Sequence, residues 1–155
     1  MITHKTKYAL KALTILADEK AGDATALRIE KIAERSGAPK RFLEHILLDL
    51  KRAGLIGSRR GRNGGYELIK DPRHVSLAAV LRLIDGPMAP LPCLSRNAYQ
   101  RCEDCKDEQT CRVRAVFHDF YSTYILMIES LTLADLQRDV RPLEYFPLAE
   151  KAAGE

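Results

Sequence analysis

The sequence has no tryptophan, and aromatic residues of all kinds make up only 6% of its 155 residues. Proteins that hold single-stranded nucleic acid by base stacking need an aromatic platform, so that class is disfavoured. The chain also has no run of 18 apolar residues, and its first residues lack the apolar core of a signal peptide. We therefore expect a cytoplasmic protein with no membrane partner.

Acidic residues are scarce in the first half of the chain. Residues 1–70 carry 15 Lys and Arg against 8 Asp and Glu, whereas residues 71–155 carry 10 against 13, within a net charge of +4. A basic half suits a polyanionic partner, although an ordinary solvated surface gives similar counts. The length and the 46% hydrophobic content fit one domain with a small accessory element.

Apolar residues recur at helical spacing in three consecutive segments. The spacing predicts a first helix over Tyr8–Asp18, a second over Leu27–Arg35, and a third that has Pro39 as its first residue and ends at Gly54. Gly37 supplies a left-handed stop between the last two, which gives a helix-turn-helix pattern. The predicted core stripe of the third helix is Phe42, Leu43, Ile46, Leu47, Leu50 and Ala53. The predicted DNA contacts of this region are Ser36, Pro39, Lys40, Arg41, Glu44 and His45.

The segment after the third helix predicts a β-hairpin with a tip rich in glycine and arginine. Glycines let the tip approach a DNA backbone closely, and arginines neutralise phosphates or enter a narrow minor groove. No Lys-Ser or Lys-Thr follows to open a helix, which disfavours a nucleotide phosphate loop. A helix-turn-helix followed by a basic hairpin is typical of a winged helix. The predicted contacts of the wing are Arg59, Arg60, Gly61, Arg62, Asn63 and Gly64.

A fourth helix is predicted over Val75–Ile84, then a polar loop, then a long helix from Cys111 to Leu131. Apolar residues of the long helix alternate in steps of four and three, which is a heptad seam. Since a small winged helix cannot cover both apolar sides of this helix, we favour a dimer interface over an intramolecular core. Thr132 and Asp135 predict a capping box that opens a short last helix. The predicted interface residues are Val113, Phe117, Phe120, Tyr124, Met127 and Leu131, with Val116, Tyr121 and Ile128 widening the stripe.

All four cysteines of the chain, Cys93, Cys102, Cys105 and Cys111, lie within 19 residues. In a cytoplasmic protein such clustering favours metal ligation over structural disulfides, and both zinc and iron–sulfur clusters accept four thiolates. Cys111 is favourably placed as a thiolate because a helix N-terminus stabilises negative charge. His4 and His74 are ordinary surface or core residues, whereas His118 lies seven residues after Cys111 and is a distant ligand candidate.

The motifs at residues 32–37, 39–44, 53–55 and 58–66 resemble those of the Rrf2 family of bacterial regulators. The resemblance covers roughly residues 2–137. That family includes regulators of iron–sulfur biogenesis, of the nitric oxide response and of cysteine metabolism. The resemblance implies a homodimer whose long helices cross at the interface and whose wings flank a palindromic operator. It also implies an iron–sulfur cluster held by loop cysteines.

The cysteine spacing departs from that family pattern. Cys105 and Cys111 keep the usual interval of five intervening residues, but Cys93 and Cys102 do not. Arg114 stands where some members have a histidine ligand, and Thr6-Lys7-Tyr8 contains no acidic residue where others have an acidic ligand. An iron–sulfur cluster therefore remains the first hypothesis, with zinc, a thiol–disulfide switch or no cofactor as alternatives.

These patterns predict a mainly α protein, a winged helix-turn-helix with a small β-hairpin wing and a long C-terminal dimerisation helix. The expected divisions are a DNA-binding domain at 1–85, a cysteine-bearing loop at 86–110, dimerisation and terminal helices at 111–140, and a loose tail at 141–155. We expect a dimeric transcriptional regulator of double-stranded DNA rather than an enzyme. A thiol redox enzyme using Cys102 and Cys105 is disfavoured because no βαβ pattern flanks them, and the basic wing disfavours a metal-scaffolded module without a DNA role.

Overall fold

The computed structural model describes residues 2–22 and 26–138, so the tail predicted at 141–155 lies outside the described residues. Over this part of the chain, no helix has the length and hydropathy needed to cross a membrane. The described residues form six α-helices and one two-stranded antiparallel sheet. In chain order these elements are α1 His4–Ala21, α2 Ile29–Ser36, α3 Lys40–Arg52, β1 Ile56–Arg59, β2 Gly65–Leu68, α4 Leu77–Asp85, α5 Arg112–Ser130 and α6 Leu133–Gln137.

The first helix forms the centre of the main core. Its residues Ala9, Ala12 and Leu13 are fully buried, as the helical spacing of apolar residues predicts. Helices α2, α3, α4 and α6 and the second strand all contact α1. The helix extends three residues beyond the predicted end at Asp18, and Thr3 caps its beginning by accepting a hydrogen bond from the Thr6 backbone N–H.

The predicted helix-turn-helix is present. Gly37 has a φ of 69° and ends α2, a left-handed conformation that glycine adopts without steric cost. Pro39 was predicted as the first helical residue, but it precedes the helix, because its ψ of 129° is extended and α3 begins at Lys40. Ser36 is buried, and its Oγ accepts a hydrogen bond from the Ala38 backbone N–H at 3.2 Å. The turn is therefore closed by the side chain of Ser36.

Four of the six residues predicted in the core stripe of α3 are buried, namely Leu43, Ile46, Leu47 and Leu50. The other two predictions are wrong. Phe42 is 38% exposed and lies outside the main core, where its ring meets the ring of Tyr8 edge-on, with centroids 6.0 Å apart. Ala53 follows the last helical residue and is exposed.

The wing is a regular antiparallel hairpin in which Ile56 pairs with Leu68 and Arg59 with Gly65. A third segment also pairs with it. Leu27 and Tyr66 exchange two backbone hydrogen bonds, of 2.8 and 2.7 Å. Since this pairing fixes Leu27 in an extended bridge, α2 begins at Ile29, two residues after the predicted start.

A similar bridge explains the start of α4, which was predicted at Val75 and begins at Leu77. The Val75 carbonyl accepts from the Leu133 N–H at 2.8 Å, and the Leu77 N–H donates to the Leu131 carbonyl at 3.0 Å. These bonds join the junction of α5 and α6 to the winged domain. Leu133 is fully buried in the main core, and the predicted capping box of Thr132 and Asp135 opens α6.

The segment between α4 and α5 is irregular, as predicted, but part of it is well packed. A short 3₁₀ turn over Pro92–Leu94 places Cys93 and Leu94 against Tyr121 and Ile125 of α5. These four buried residues form a second core, separate from the core around α1. One apolar side of α5 therefore packs on its own chain.

Candidate nucleic-acid interface and cysteine loop

The polar face of α3 is exposed at Lys40, Arg41, Glu44 and His45. Lys40 Nζ lies 2.5 Å from a carboxylate oxygen of Glu30 on α2. The hydrogen bond between them lowers the pKa of Glu30 and raises the pKa of Lys40. Because both side chains are more than half exposed, this pair contributes little stability, and Lys40 can exchange Glu30 for another anion such as a phosphate.

The wing tip carries three arginines in different surroundings. Arg59 Nε donates to a carboxylate oxygen of Glu67 on the opposite strand at 2.8 Å, whereas Arg60 and Arg62 are exposed. Among the described residues, the guanidinium groups of Arg60 and Arg62 form no hydrogen bond or ion pair. These two side chains are therefore available to an external anion. Asn63 beside them is also exposed.

The glycines of the tip shape its backbone. Gly61 has a φ of 104° and is exposed, and the Gly64 N–H donates to its carbonyl at 3.0 Å. Gly64 is buried in the turn, where a Cβ would lie 2.4 Å from the Arg59 carbonyl oxygen. Gly65 has a φ of 153°, and a Cβ there would lie 2.3 Å from the Leu27 carbonyl oxygen. Gly64 and Gly65 thus permit the tight tip and its contact with Leu27.

Two predicted contact residues are removed from this surface by burial. Ser36 is 1% exposed and Gly64 is buried, so neither residue is accessible to a ligand at the surface. Pro39 is exposed beside the start of α3. The structure therefore retains Pro39, Lys40, Arg41, Glu44, His45, Arg59, Arg60, Gly61, Arg62 and Asn63 as exposed candidates.

Polar contacts hold the wing against the helix-turn-helix, and the sequence analysis did not find them. Lys51 Nζ at the end of α3 donates to Ser58 Oγ on β1 at 2.6 Å. Arg28, just before α2, donates to the Arg62 carbonyl at 2.7 Å. Because no residue periodicity marks such long-range pairs, only the basic character of Arg28 and Lys51 pointed to them.

The four cysteines are free thiols in four different settings. Cys93 is buried and Cys102 is half-buried beside it in the second core. Partial burial raises the pKa of the Cys102 thiol, and the neighbouring Cys93 thiol raises it further. The Cys105 N–H donates to the Cys102 carbonyl at 3.2 Å. Cys111 caps α5, where its Sγ accepts from the Arg114 N–H at 3.4 Å.

This donor set fits a thiolate-ligated centre in chemistry but not in placement. Four thiols suit iron–sulfur clusters or zinc. Within residues 2–22 and 26–138, however, no three His, Cys, Asp or Glu side chains come together as a metal site. The structure pairs Cys93 with Cys102 and leaves Cys111 at the helix end. His118 lies close to Asp119, with 3.2 Å between Nδ1 and Oδ1.

The predicted seam of α5 is largely exposed. Phe120 is 67% exposed and Met127 is 61% exposed, and Val113, Phe117 and Leu131 are exposed as well. Tyr124 differs from them, because it is half-buried against the second core. Of the residues predicted to widen the stripe, Val116 is exposed, whereas Tyr121 and Ile128 contribute to that core. The helix thus has one apolar side that packs on its own chain and one that meets solvent.

Three features define a winged helix DNA-binding protein. These are the core around α1, the helix-turn-helix of α2 and α3, and the adjoining basic hairpin. Residues 2–139 match the family model Rrf2, described as an iron-dependent transcriptional regulator. The chain therefore belongs to the Rrf2 family of transcriptional regulators, as the sequence motifs predict.

Relatives agree with this assignment. The chain is 62% identical over 137 residues to the rrf2-like HTH-type transcriptional regulator of Rhodobacter capsulatus, covering 88% of this chain and 91% of that protein. It is 29% identical to the regulator NsrR of Geobacillus kaustophilus, covering 89% of this chain and 90% of that protein. The structure of the global cysteine regulator CymR of B. subtilis superposes with a TM-score of 0.71 at 25% identity, covering 88% and 95%. These relatives are named regulators, not enzymes.

Proposed function

We propose that the protein is a homodimeric regulator that binds a palindromic operator through α3 and the wing. The observation that carries this proposal is the exposed basic surface formed by Arg41, His45, Arg60 and Arg62 on elements joined by the Lys51–Ser58 hydrogen bond. In this scheme α3 enters the major groove, and the wing arginines contact the flanking phosphates or minor groove. Residues 1–85 act as the DNA-binding domain and residues 111–140 as the dimerisation region.

The exposed side of α5 supports the homodimer. Monomeric proteins seldom expose a contiguous stripe of large apolar side chains, and the heptad spacing of this stripe suits a second helix. A two-fold dimer through α5 presents two recognition helices, which matches a palindromic site. The seam comprises Val113, Phe117, Phe120, Tyr124, Met127 and Leu131.

The cysteine loop at 86–110, together with Cys111, is the regulatory element of this proposal. Iron–sulfur ligation by Cys93, Cys102, Cys105 and Cys111 is the first candidate, supported by the thiol chemistry and by the family description, and it requires the loop to bring these thiols together. Zinc or a cofactor-free thiol pair are alternatives. A bound centre would link the loop chemically to the start of α5. The loop also acts through contacts within the chain, because Cys93 and Leu94 pack on Tyr121 and Ile125.

Helix α5 offers a route from the loop to the DNA-binding surface. Cys111 caps one end, and the other end is joined to α4 by the backbone bonds around Leu131 and by the ion pair of Arg82 with Glu129. A shift of α5 would change the separation of two recognition helices in a dimer. DNA affinity responds only if the loop states differ in their free energy of fitting the operator.

DNA binding is tested with duplexes enriched from a randomised pool and titrated at several salt concentrations. We expect Arg60→Ala and Arg62→Ala each to reduce the slope of log affinity against log salt by about one, since each removes one phosphate contact. Arg73→Ala is the matched control. Arg73 is an exposed arginine in the short 3₁₀ turn Pro72–His74, which follows the wing and contacts α6. Unchanged slopes in both wing variants would rule out the wing as a contact surface.

The cofactor is tested by absorption spectroscopy and metal analysis of protein isolated without oxygen. We expect visible absorption that bleaches in air and is lost in Cys105→Ala and Cys111→Ala, together with different DNA affinities before and after bleaching. Colourless protein with stoichiometric zinc would give the site a structural role. Colourless, metal-free protein with an affinity insensitive to oxidants would contradict a sensing role for the cysteines.

A further inference from the structure

A cavity of about 280 Å³ lies between the cysteine loop and α5, on the side of the helix away from the exposed seam. Its floor is apolar, formed by Cys93, Leu94 and Ile125. Hydroxyl groups of serine and tyrosine side chains line its sides. This volume is at the small end of the range of ligand-binding cavities, so it suits a compact molecule.

The charge of the cavity wall is one-sided. Arg96 enters it from the loop and Arg114 from α5, together with the imidazole of His118. Among the described residues, no aspartate or glutamate lines the cavity. Two arginines thus line one small space, and an anion bound there would accept hydrogen bonds from guanidinium groups of both elements.

Arg114 is also incompletely paired. Its Nε is buried and has no hydrogen-bond partner within the described part of the chain. A carboxylate oxygen of Glu108 lies 3.8 Å from that Nε, which is close enough for an ion pair but beyond hydrogen-bond distance. Glu108 is itself engaged by the hydroxyl of Tyr99. Buried donors in proteins are almost always hydrogen-bonded, so an acceptor supplied from the cavity would satisfy this N–H.

We propose that this cavity binds a small organic anion through a carboxylate or phosphate group held between Arg96 and Arg114. Guanidinium groups donate paired hydrogen bonds to both kinds of oxyanion. The side chains of Ser95 and Ser122 provide neutral hydroxyl groups for the rest of the molecule. Because one wall is loop and the other is helix, the bound anion joins the two elements that the proposed regulation connects.

Binding is tested by calorimetry and thermal unfolding of the full chain, isolated without oxygen, with sodium phosphate and sodium succinate as probes. Sodium chloride at matched ionic strength is the reference. The two probes distinguish a tetrahedral from a planar anion. We expect saturable binding of at least one of them, with an accompanying rise in the unfolding temperature.

Arg114→Gln should weaken that binding by about tenfold or more, the usual effect of losing a charge-assisted hydrogen bond. Arg112→Gln is the control, because it removes the same charge from the same end of α5 at an exposed position outside the cavity. Absence of saturable binding by either probe would overturn the proposal, as would equal losses in the two variants. The experiment uses no DNA, so its outcome is independent of the operator-binding proposal.

Discussion

The winged domain and the C-terminal arm, which consists of the cysteine loop at 86–110 and α5, differ in how completely each buries its own apolar residues. Helices α1 to α4, the wing and Leu133 enclose one continuous core. The second core, formed by the cysteine loop and α5, has only four buried residues, and the opposite side of α5 leaves Val116 and Phe120 about two-thirds exposed or more. The winged domain therefore has the packing of an independent folding unit, whereas the arm needs a further surface to complete it.

The largest expected effect comes from introducing a charge at Phe120, on the exposed side of α5. If a partner covers α5, Phe120→Asp buries an unpaired carboxylate from each protomer. The two carboxylates together cost the dimer about 4 kcal/mol, which weakens dimerisation roughly a thousandfold. Sedimentation at micromolar concentration should then show a monomer. Ala115→Asp is the control, because Ala115 is exposed on another side of α5. A wild-type protein that sediments as a monomer would contradict the dimer.

The independence of the winged domain is tested at Leu47, which is fully buried. Leu47→Ala should lower the free energy of unfolding by about 3 kcal/mol, through lost burial and the cavity left behind. The neighbouring Leu48 is 43% exposed, so Leu48→Ala should have a much smaller effect. Repeating both variants on the Phe120→Asp background removes any contribution of dimerisation. Equal destabilisation by the two variants there would show that the core is not closed.

The wing is the part of the winged domain with the least packing, so its backbone is tested separately. Gly65→Ala should destabilise the hairpin by about 2 kcal/mol, since the left-handed φ and the Leu27 carbonyl both oppose a Cβ. Gly57→Ala on the other strand is the control, because a Cβ there meets only side-chain atoms, of Ile69 at 3.4 Å and of Glu67 at 3.6 Å. Wing amide exchange and DNA affinity are the measurements. Similar behaviour of the two variants would contradict the tight contact with Leu27.

The smallest expected effect concerns the joint between the two regions. Hydrogen bonds from Thr132 lower the pKa of Asp135, so its ionised form stabilises the folded state above the unfolded pKa of about 4. This contribution is lost as pH falls through the lower folded pKa. The difference in unfolding temperature between Asp135→Ala and the unchanged protein should therefore shrink below pH 4. A constant difference from pH 7 to pH 3 would show that the carboxylate charge does not matter.

Local sequence signals predicted the parts of the fold that depend on near neighbours. Gly37 needs only its own φ to stop α2, and the capping box of Thr132 and Asp135 spans three residues. The pairing of Leu27 with Tyr66 joins segments far apart in sequence, so nothing near Leu27 announced it, and the start of α2 was misplaced. The exposure of Phe42 likewise depends on Tyr8, a distant partner.

The candidate sites divide in the same way. Exposed basic residues such as Arg41, Arg60 and Arg62 follow from composition and hairpin geometry. The burial of Ser36 and Gly64 follows from how turns close on themselves, which residue type alone does not reveal. The loop cysteines were identifiable by clustering, but a sequence interval does not give a distance between thiols.

The attachment of α5 gives the molecule the mechanics of a lever. With 19 residues the helix is about 28 Å long, and its backbone bonds to the winged domain lie beyond its C-terminal end, around Leu131 and Leu133. A tilt of about 5° at this fulcrum displaces the Cys111 end by about 2.5 Å. Conversely, a displacement of the loop at the Cys111 end tilts α5 by only a small angle where the helix joins the winged domain. A displacement of the loop by a few ångströms therefore reaches the winged domain as a rotation of a few degrees.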